Sequence, residues 1–191
     1  MPRIDSEKFY LASIEKYGVN AKGVNWVSQE TQELRFDIIL DMLPKNINTL
    51  VDAGCGFGDF YQYLQNKNIQ YTKYIGIDSL HKMCTIASKN TKQEIILADI
   101  TKDKLPFAEY YICSGAMNIL NTFETHLFIK NCLQSSQKAF IFNILHGSKE
   151  SDTFNYFSIE KIEKIAKDLN VNRIEIRDDY MQNDVTVGFF L

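Results

Sequence analysis

The sequence predicts an α/β fold with a doubly wound, mainly parallel sheet, covered by helices on both faces. Short apolar runs alternate with amphipathic, helix-type patterns along the 191 residues. The apolar runs are nearly continuous, which is typical of parallel strands that are buried on both faces. Right-handed crossovers then favour a doubly wound sheet, because they leave few other topologies for such an alternation.

Two helices are predicted before the sheet, at residues 5–17 and 29–43, and Pro44 ends the second. Four acids share one face of the second helix: Glu30, Glu33, Asp37 and Asp41. Apolar side chains cover most of the remaining surface, and Arg35 falls in the middle of them, with Gln32 nearby. A buried guanidinium needs a partner, because an unpaired buried charge is very costly.

Five strands and three helices follow in alternation. The strands are NTLVDAG, YTKYIGID, QEIILAD, EYYICSG and KAFIFNIL, and the helices between them are FGDFYQYLQNK, SLHKMCTIASKN and NTFETHLFIKNCLQSSQ. After a further helix, SIEKIEKIAKDL, come the strands VNRIEIRD and DVTVGFFL. The connection between these two is too short for a parallel crossover, so they are predicted to be antiparallel.

Composition and charge narrow the class of protein. A hydrophobic fraction of 45% suits one globular domain, which at this length buries roughly 70% of its unfolded surface. The net charge of −3 predicts neither a nucleic-acid partner nor an anionic membrane surface. No apolar run reaches the ~20 residues of a membrane helix. The first residues lack a signal-peptide pattern, so a cytoplasmic protein is expected.

The four cysteines predict neither a zinc site nor a disulfide framework. They are Cys55, Cys84, Cys113 and Cys132. No two of them form a Cys-x-x-Cys pair, so no metal is expected and a reducing compartment suits them.

A glycine-rich turn follows the first predicted strand, in VDAGCGFGDF. Gly54, Gly56 and Gly58 remove Cβ atoms where a doubly wound sheet has its ligand crevice, so a ligand can lie against the backbone there. Asp52 just before them strengthens this interpretation. The alternative is a tight turn without a ligand.

Two further acids end the next two predicted strands. Asp78 is placed to accept from both hydroxyls of a ribose, and Asp99 from an adenine amino group. Alternatively, Asp78 and Ser79 cap the following helix, and Asp99 is a solvated turn residue. A dinucleotide is disfavoured, because Asp59 replaces the third glycine of that fingerprint and would crowd a pyrophosphate.

These motifs resemble those of the class I S-adenosylmethionine-dependent methyltransferases over about residues 29–191. VDAGCGFGDF is similar to the family's glycine-rich first motif, IGIDSL to its ribose motif and LADI to its adenine motif. YYICSGAMNIL is similar to the segment that runs past the methionine part into the active site. More narrowly, SQETQELRF, SGAMN and DDYMQNDVTV resemble a bacterial subgroup of small methyltransferases.

The resemblance implies a Rossmann-like, seven-stranded sheet of order 3-2-1-4-5-7-6 with the last strand antiparallel. It implies one methyltransferase domain over residues 1–191, with a helical cover at 1–46 and the cofactor-binding sheet at 47–191. S-adenosyl-L-methionine would be the cofactor.

The resemblance also implies the cofactor site. The implied residues are Arg35, Asp52, Gly54, Gly56, Gly58, Asp78, Ser79, Leu80, Asp99, Ile100, Ser114 and Gly115. Asp52 and the glycines would hold the methionine end, and Ser114 and Gly115 would lie beside the sulfonium. Arg35 suits the cofactor's carboxylate, although an internal pair with Asp52 or another core acid is equally open.

Three polar residues near the carboxyl ends of strands are candidates for the reaction: Asn118, His146 and Tyr180. Methyl transfer is an in-line displacement that needs the nucleophile about 3 Å from the methyl carbon. His146 is the base candidate, because its ordinary pKa is near neutrality; a surface loop histidine is the alternative. Asn118 can equally cap the next helix. Residues 147–157, with Trp26 and Tyr10, can form a lid or simply pack in the core.

The predicted function is therefore methyl transfer to a small-molecule acceptor. A nicotinamide-dependent oxidoreductase and a non-catalytic S-adenosylmethionine-binding module are the alternatives, because a shared fold does not guarantee chemistry. A macromolecular acceptor is a variant within the main prediction.

Overall fold

The computed structural model describes residues 4–67 and 69–191, and its centre is one seven-stranded sheet. The strands are β1 (Asn46–Ala53), β2 (Gln70–Asp78), β3 (Glu94–Leu97), β4 (Ala108–Ser114), β5 (Ser136–Leu145), β6 (Arg173–Arg177) and β7 (Asp184–Phe190). Their order is β3-β2-β1-β4-β5-β7-β6. Strands β1 to β5 are mutually parallel, and β7 is antiparallel to both β5 and β6. The predicted fold is confirmed.

Six α-helices lie around the sheet in the part of the chain that the structure describes. They are α1 (Ser6–Tyr17), α2 (Gln29–Asp41), α3 (Asp59–Leu64), α4 (His81–Thr91), α5 (Thr122–Ser135) and α6 (Ile159–Asp168). Short 3₁₀ helices lie at Ala21–Val24 and Ala116–Ile119. Ser28 and Thr31 form a capping box that starts α2, which satisfies backbone N–H groups that the first turn leaves free. Helix α2 ends two residues before the predicted bound of 43.

The two faces of the sheet bury separate apolar clusters. Val51 packs on the side of α5 and α6, with Phe128 and Ile162. Its neighbour Leu50 packs on the side of α2, with Ile39. Successive strand residues point to opposite faces, so the near-continuous apolar strands supply both clusters at once.

A third, smaller cluster places the amino-terminal helix over the carboxyl ends of the strands. Ile14 of α1 packs with Phe57, from the turn after β1, and with Met83 of α4; Tyr10 and Leu80 join them. Helix α1 is thereby held against the glycine-rich turn.

The strand register defines where a ligand can bind. β1 pairs with β2 on one side and with β4 on the other, so Asp52 lies opposite both Gly76 and Ile112. The strand order reverses between β1 and β4, and such a reversal opens a crevice at the carboxyl ends. Among the described residues, no helix has the length and apolar character needed to span a membrane.

Candidate functional site

A cavity of about 1150 Å³, measured with its open mouth, lies at this crevice. The predicted residues that line it are Asp52, Gly54, Gly56, Asp78, Ser79, Leu80, Asp99, Ile100, Ser114, Gly115 and Asn118. Four predicted residues lie outside the lining: Arg35, Gly58, His146 and Tyr180. Residues up to 66 positions apart in the sequence are thus brought to one place.

The glycine-rich turn combines the two explanations offered for it. Gly54 has a φ of +82°, and a Cβ there would collide with the Cβ of Ala116, so packing within the protein requires this glycine. Gly56 has a φ of +55°, and a Cβ there would meet Val24 Cγ1 only at 3.5 Å. Its backbone N–H donates to Asp78. The turn is tight at Gly54 and open toward the cavity at Gly56.

Asp78 ties the turn to the start of α4. Its Oδ2 accepts from the N–H of Gly56 at 3.0 Å, and its Oδ1 accepts from the N–H of Leu80 at 2.9 Å. Burial raises the pKa of Asp78 to about 6, and the backbone donors oppose that rise. Leu80, the residue that precedes α4, makes no side-chain cap. Asp78 therefore joins two segments and does not act as a simple helix cap.

Asp99 lies beside Asp78, because β2 and β3 end together. The register pairs Asp78 with Leu97, and the N–H of Ala98 donates to the Asp78 carbonyl at 3.0 Å. The Asp99 carboxylate accepts from the Thr101 N–H, the Thr101 hydroxyl and Lys102 Nζ, at 3.0, 2.6 and 2.6 Å. Burial acts to raise the pKa of Asp99, yet these donors hold it below its usual value. Asp99 therefore makes the hydrogen bonds of a turn residue, as the alternative interpretation expects, and it also lines the cavity.

Asp52 is the most buried acid of the cavity wall. It is 2% exposed, and its Oδ2 accepts from the Tyr74 hydroxyl at 2.7 Å. Burial raises the pKa of Asp52 to about 7, while the bond from Tyr74 lowers it. A cation placed in the cavity would find here a carboxylate with no positive partner among the described residues.

Arg35 has a different partner from the one that the resemblance implies. Its Nε donates to Asp184 Oδ2 at 2.8 Å, Nη2 donates to the same oxygen, and Nη1 donates to the Thr31 carbonyl at 2.8 Å. The guanidinium also lies 4.5 Å from the ring centroid of Trp26. Arg35 thus forms the internal ion pair with a core acid that was the alternative to a cofactor contact, and the acid is Asp184 and not Asp52.

Tyr180 belongs to the same buried network. Its hydroxyl donates to Asp184 Oδ1 at 2.5 Å and lies 2.8 Å from Thr186 Oγ1. Burial and the neighbouring Asp184 raise the pKa of Tyr180. Tyr180 is predicted as a catalytic residue, but in the structure it lies outside the cavity lining and its hydroxyl donates a hydrogen bond to Asp184.

His146 also lies outside the cavity lining. Its Nδ1 is 2.8 Å from the Phe157 carbonyl, which can only accept, so Nδ1 carries the proton in this contact. The His146 N–H donates to the Asn183 carbonyl at 2.9 Å. The first contact joins the end of β5 to residues 147–157, and the second joins it to the residue before β7. His146 thus has a structural place and does not face the cavity as a base would.

Asn118, by contrast, faces the cavity from the 3₁₀ helix after β4. It does not cap α5, because Asn121 and Glu124 form the capping box of that helix. Of the three residues predicted for the reaction, it alone meets the cavity.

Aromatic side chains form a roof over the cavity. They are Phe9 and Tyr10 of α1, Trp26, and Phe154 from residues 147–157. The rings of Phe9 and Phe154 meet edge to face at 6.3 Å. The Tyr10 hydroxyl has no hydrogen-bond partner among the described residues, and burial raises its pKa. The segments suggested as a lid therefore meet above the predicted site.

Trp26 is held between two groups. The Arg35 guanidinium packs on its ring, and a Cβ on Gly115 would lie 2.5 Å from its Cη2 atom. Gly115 has a φ of +76°, so both its backbone conformation and the space it leaves fit this ring.

Gln32 also lines the cavity, although the sequence predicts no role for it in the site. It lies on the buried side of α2 and donates from Nε2 to Asp59 Oδ2 at 3.0 Å. Burial raises the pKa of Asp59, and Gln32 opposes that rise. The signal was present in the helical wheel, where Gln32 accompanies Arg35 on the inward side.

The charges of the lining are all of one sign. Asp52, Asp59, Asp78 and Asp99 contribute carboxylates, whereas no lysine, arginine or histidine of residues 4–67 and 69–191 lines the cavity. Within the same residues, no group of His, Cys, Asp or Glu side chains is arranged to hold a metal ion.

Comparisons with known proteins agree with this geometry. Residues 51–133 match the family described as "Methyltransferase domain". No curated protein sequence gives a significant match.

Solved methyltransferase structures share the fold. Magnesium protoporphyrin IX methyltransferase from Synechocystis, with bound S-adenosylmethionine, has a TM-score of 0.65 at 14% identity, over 100% of this chain and 86% of that one. An S-adenosylmethionine-dependent methyltransferase from Clostridium acetobutylicum has a TM-score of 0.64 at 13% identity, over 98% and 99%. A putative methyltransferase from Haloferax volcanii, in complex with the activator Trm112, reaches 0.72 at 12% identity, over 100% and 99%.

The matched segment contains the glycine-rich turn, Asp52, Asp78 and Asp99, which line one cavity in the shared fold. Residues 51–133 therefore match a methyltransferase domain, and the chain has the fold that S-adenosylmethionine-dependent methyltransferases of known structure share.

Proposed function

We propose that this enzyme transfers a methyl group to a small-molecule acceptor by in-line displacement. The observation that carries the proposal is the placement of Asp78 and Asp99 at adjacent strand ends, on the wall of a cavity roofed by α1 and residues 147–157. A roof on this side leaves room for a small acceptor more readily than for a macromolecule. The four free, buried cysteines suit a reducing cytoplasm as its location.

The cofactor-binding residues form part of the proposal, and the cavity wall fits them. Asp52 offers a buried carboxylate to an ammonium group, and such a cation would lower its raised pKa. Each carboxylate oxygen of Asp78 accepts a hydrogen bond from a backbone N–H, which leaves lone pairs for two ribose hydroxyls. Leu80 and Ile100 offer apolar surface to the adenine.

Two members of the implied set contribute indirectly. Gly58 lies outside the lining and precedes α3 as its N-cap. Arg35 is paired with Asp184 and packs behind Trp26. We therefore propose that Arg35 positions the aromatic ring, and that the cofactor carboxylate is bound by other groups.

When bound, S-adenosylmethionine supplies an electrophilic methyl group on a sulfonium. The chain's own contribution is to orient, to exclude water and to stabilise positive charge. Ser114 ends β4 and Gly115 follows it at the cavity wall, which the Trp26 ring also lines. An aromatic ring near a sulfonium can stabilise its charge. Positioning of this kind can supply much of the rate of a displacement.

A protein base is needed only if the acceptor atom must lose a proton early. His146 and Tyr180 lie outside the lining, so we propose that neither acts as a base. Asn118 remains the polar side chain beside the end of β4 that can contact the acceptor.

Calorimetry tests the proposal directly. S-adenosylhomocysteine, the demethylated product, is expected to bind, and Asp78→Ala is expected to weaken its binding about tenfold or more, which corresponds to about 1.4 kcal/mol. Transfer of an isotopic methyl label to a panel of small metabolites would follow. The absence of heat with the wild-type protein at concentrations of about 0.5 mM would contradict cofactor binding. Reduced nicotinamide should give no fluorescence change.

A further inference from the structure

The side chain of Asn118 is held in one orientation by a backbone group. Its Oδ1 accepts from the N–H of Leu145 at 3.0 Å. Because a backbone N–H can only donate, the amide oxygen must face Leu145 and the NH₂ group must face away from it. Nδ2 has no hydrogen-bond partner among residues 4–67 and 69–191. It is also not one of the fully buried polar atoms that lack a partner. Its two N–H donors are therefore available to the cavity that Asn118 lines.

The backbone around Asn118 is fixed from both sides. Its carbonyl accepts from the Asn155 N–H at 2.8 Å, and Asn155 Nδ2 donates to the Leu120 carbonyl at 3.0 Å. The Leu145 carbonyl in turn accepts from Phe157 at 2.9 Å. The donors of Asn118 are thus pre-organised, and a partner need not first order them.

Several aromatic side chains line the same cavity as Asn118, and no described residue of the lining is a cation. Phe9, Trp26 and Phe154 supply flat apolar surface, which favours a planar ring as the occupant. The charged side chains of the described lining are all carboxylates. An anionic acceptor would be desolvated among them with no cationic side chain as its partner, which is costly.

We infer that the acceptor is an uncharged aromatic compound with a carbonyl or hydroxyl oxygen that accepts a hydrogen bond from Asn118. This inference rests on the proposed function and names its substrate class. Asn118 is then a specificity-determining residue: it selects an oxygen lone pair and disfavours an ammonium group, whose N–H donors would face its own.

Three probes that share one ring test the inference. The full chain, saturated with S-adenosylhomocysteine, is titrated with benzamide, benzoate or benzylamine, and dissociation constants are measured by ligand-observed NMR. Benzamide is expected to bind about tenfold more tightly than benzoate, a difference of about 1.4 kcal/mol, and more tightly than benzylamine. Tighter binding of benzoate or benzylamine overturns the inference, and so does absence of benzamide binding at about 10 mM, the range of weak fragment affinities.

A nearly isosteric variant isolates the donors. In Asn118→Asp, a carboxylate oxygen can still accept from Leu145, but both N–H donors are lost. Benzamide binding is expected to weaken about tenfold, while S-adenosylhomocysteine binding changes by less than about twofold. Asn172→Asp, at an exposed position before β6, adds the same charge and should change neither. Unchanged benzamide binding in Asn118→Asp overturns the inference. Failure of the wild type to bind S-adenosylhomocysteine contradicts the proposed function instead.

Discussion

Arg35 and Asp184, 149 residues apart in the sequence, form a buried ion pair that joins α2 to β7. The pair is completed on one side by the Thr31 carbonyl and on the other by the Tyr180 hydroxyl. Because the Trp26 ring packs on the same guanidinium, the pair also holds one wall of the cavity in place.

Removal of Arg35 should destabilise the protein strongly. Arg35→Met leaves the Asp184 carboxylate buried without its counter-charge, and losses of about 3–5 kcal/mol are usual for such a change. The measurement is the free energy of unfolding in urea. Arg177→Ala breaks an exposed pair with Asp179 and, as a control, should cost less than about 1 kcal/mol. If Arg35→Met keeps its stability but loses cofactor binding, the guanidinium contacts the cofactor after all.

Stability of the cofactor-free protein should fall as the pH rises through the range in which Asp52 ionises. The pKa of Asp52 is about 7 in the fold, against the ordinary 3.8 of an aspartate carboxyl in the unfolded chain. Between these values the folded state binds more protons than the unfolded state, so the free energy of unfolding decreases as pH rises. Asp52→Asn should flatten this slope, most clearly between pH 6 and 7. Asp78 adds a smaller slope of the same sign, because its pKa is about 6. A slope that is unchanged in Asp52→Asn would contradict the assignment.

Cofactor affinity should show the opposite pH dependence. An ammonium group favours the ionised form of Asp52, so S-adenosylhomocysteine should bind several-fold more tightly at pH 8 than at pH 6. Calorimetry in buffers of matched ionic strength measures this change. In Asp52→Asn the pH dependence should shrink, and a full pH dependence in that variant would show that another group is responsible.

Tyr10→Phe should weaken cofactor binding without lowering stability. The substitution keeps the ring in the roof and removes only the hydroxyl, which has no partner among the described residues. A hydrogen bond of this kind contributes about 0.5–1.5 kcal/mol, or roughly two- to twelvefold in affinity. Trp26 is the chain's single tryptophan, so its fluorescence reports binding beside the roof. Tyr17→Phe, on the exposed part of the same helix, is the matched control, and equal affinities of the two variants would contradict the prediction.

Gly115→Ala should displace Trp26. The new Cβ would lie 2.5 Å from the Trp26 ring, so the ring must move, with an expected cost of about 1–3 kcal/mol. A red shift of tryptophan emission and weaker cofactor binding should follow. Gly147→Ala provides the control, because Gly147 also has a positive φ but its Cβ would meet Asn183 only at 3.6 Å. An emission spectrum like that of the wild type in Gly115→Ala would show that the ring is not held as described.

The sheet was predictable from the sequence because each strand is a short apolar run and the last connection is too short for a crossover. Asp78 and Asp99 were predictable for a related reason: both end strands that the alternation makes parallel neighbours, and parallel strands end at one edge.

The partners of Arg35, Tyr180 and His146 could not be predicted in the same way. The position of a residue near a strand end does not fix the direction of its side chain, which depends on the last turn of the backbone and on distant contacts. Tyr180 turns toward Asp184, and His146 toward the carbonyl of Phe157. The orientation of Asn118 likewise depends on the N–H of Leu145, 27 residues away on another strand.

The contact between Phe9 and Phe154 has a consequence for how molecules reach the cavity. Neither ring belongs to a strand, and one pair of aromatic rings contributes about 0.5–1.5 kcal/mol, far below the 5–15 kcal/mol that typically separates a folded domain from its unfolded chain. Thermal motion can therefore part the two rings many times before the sheet itself opens. Ligand exchange would then need only local motion of these two side chains at the rim, while the hydrogen bonds of Asn155 and the strand ends beneath stay in place.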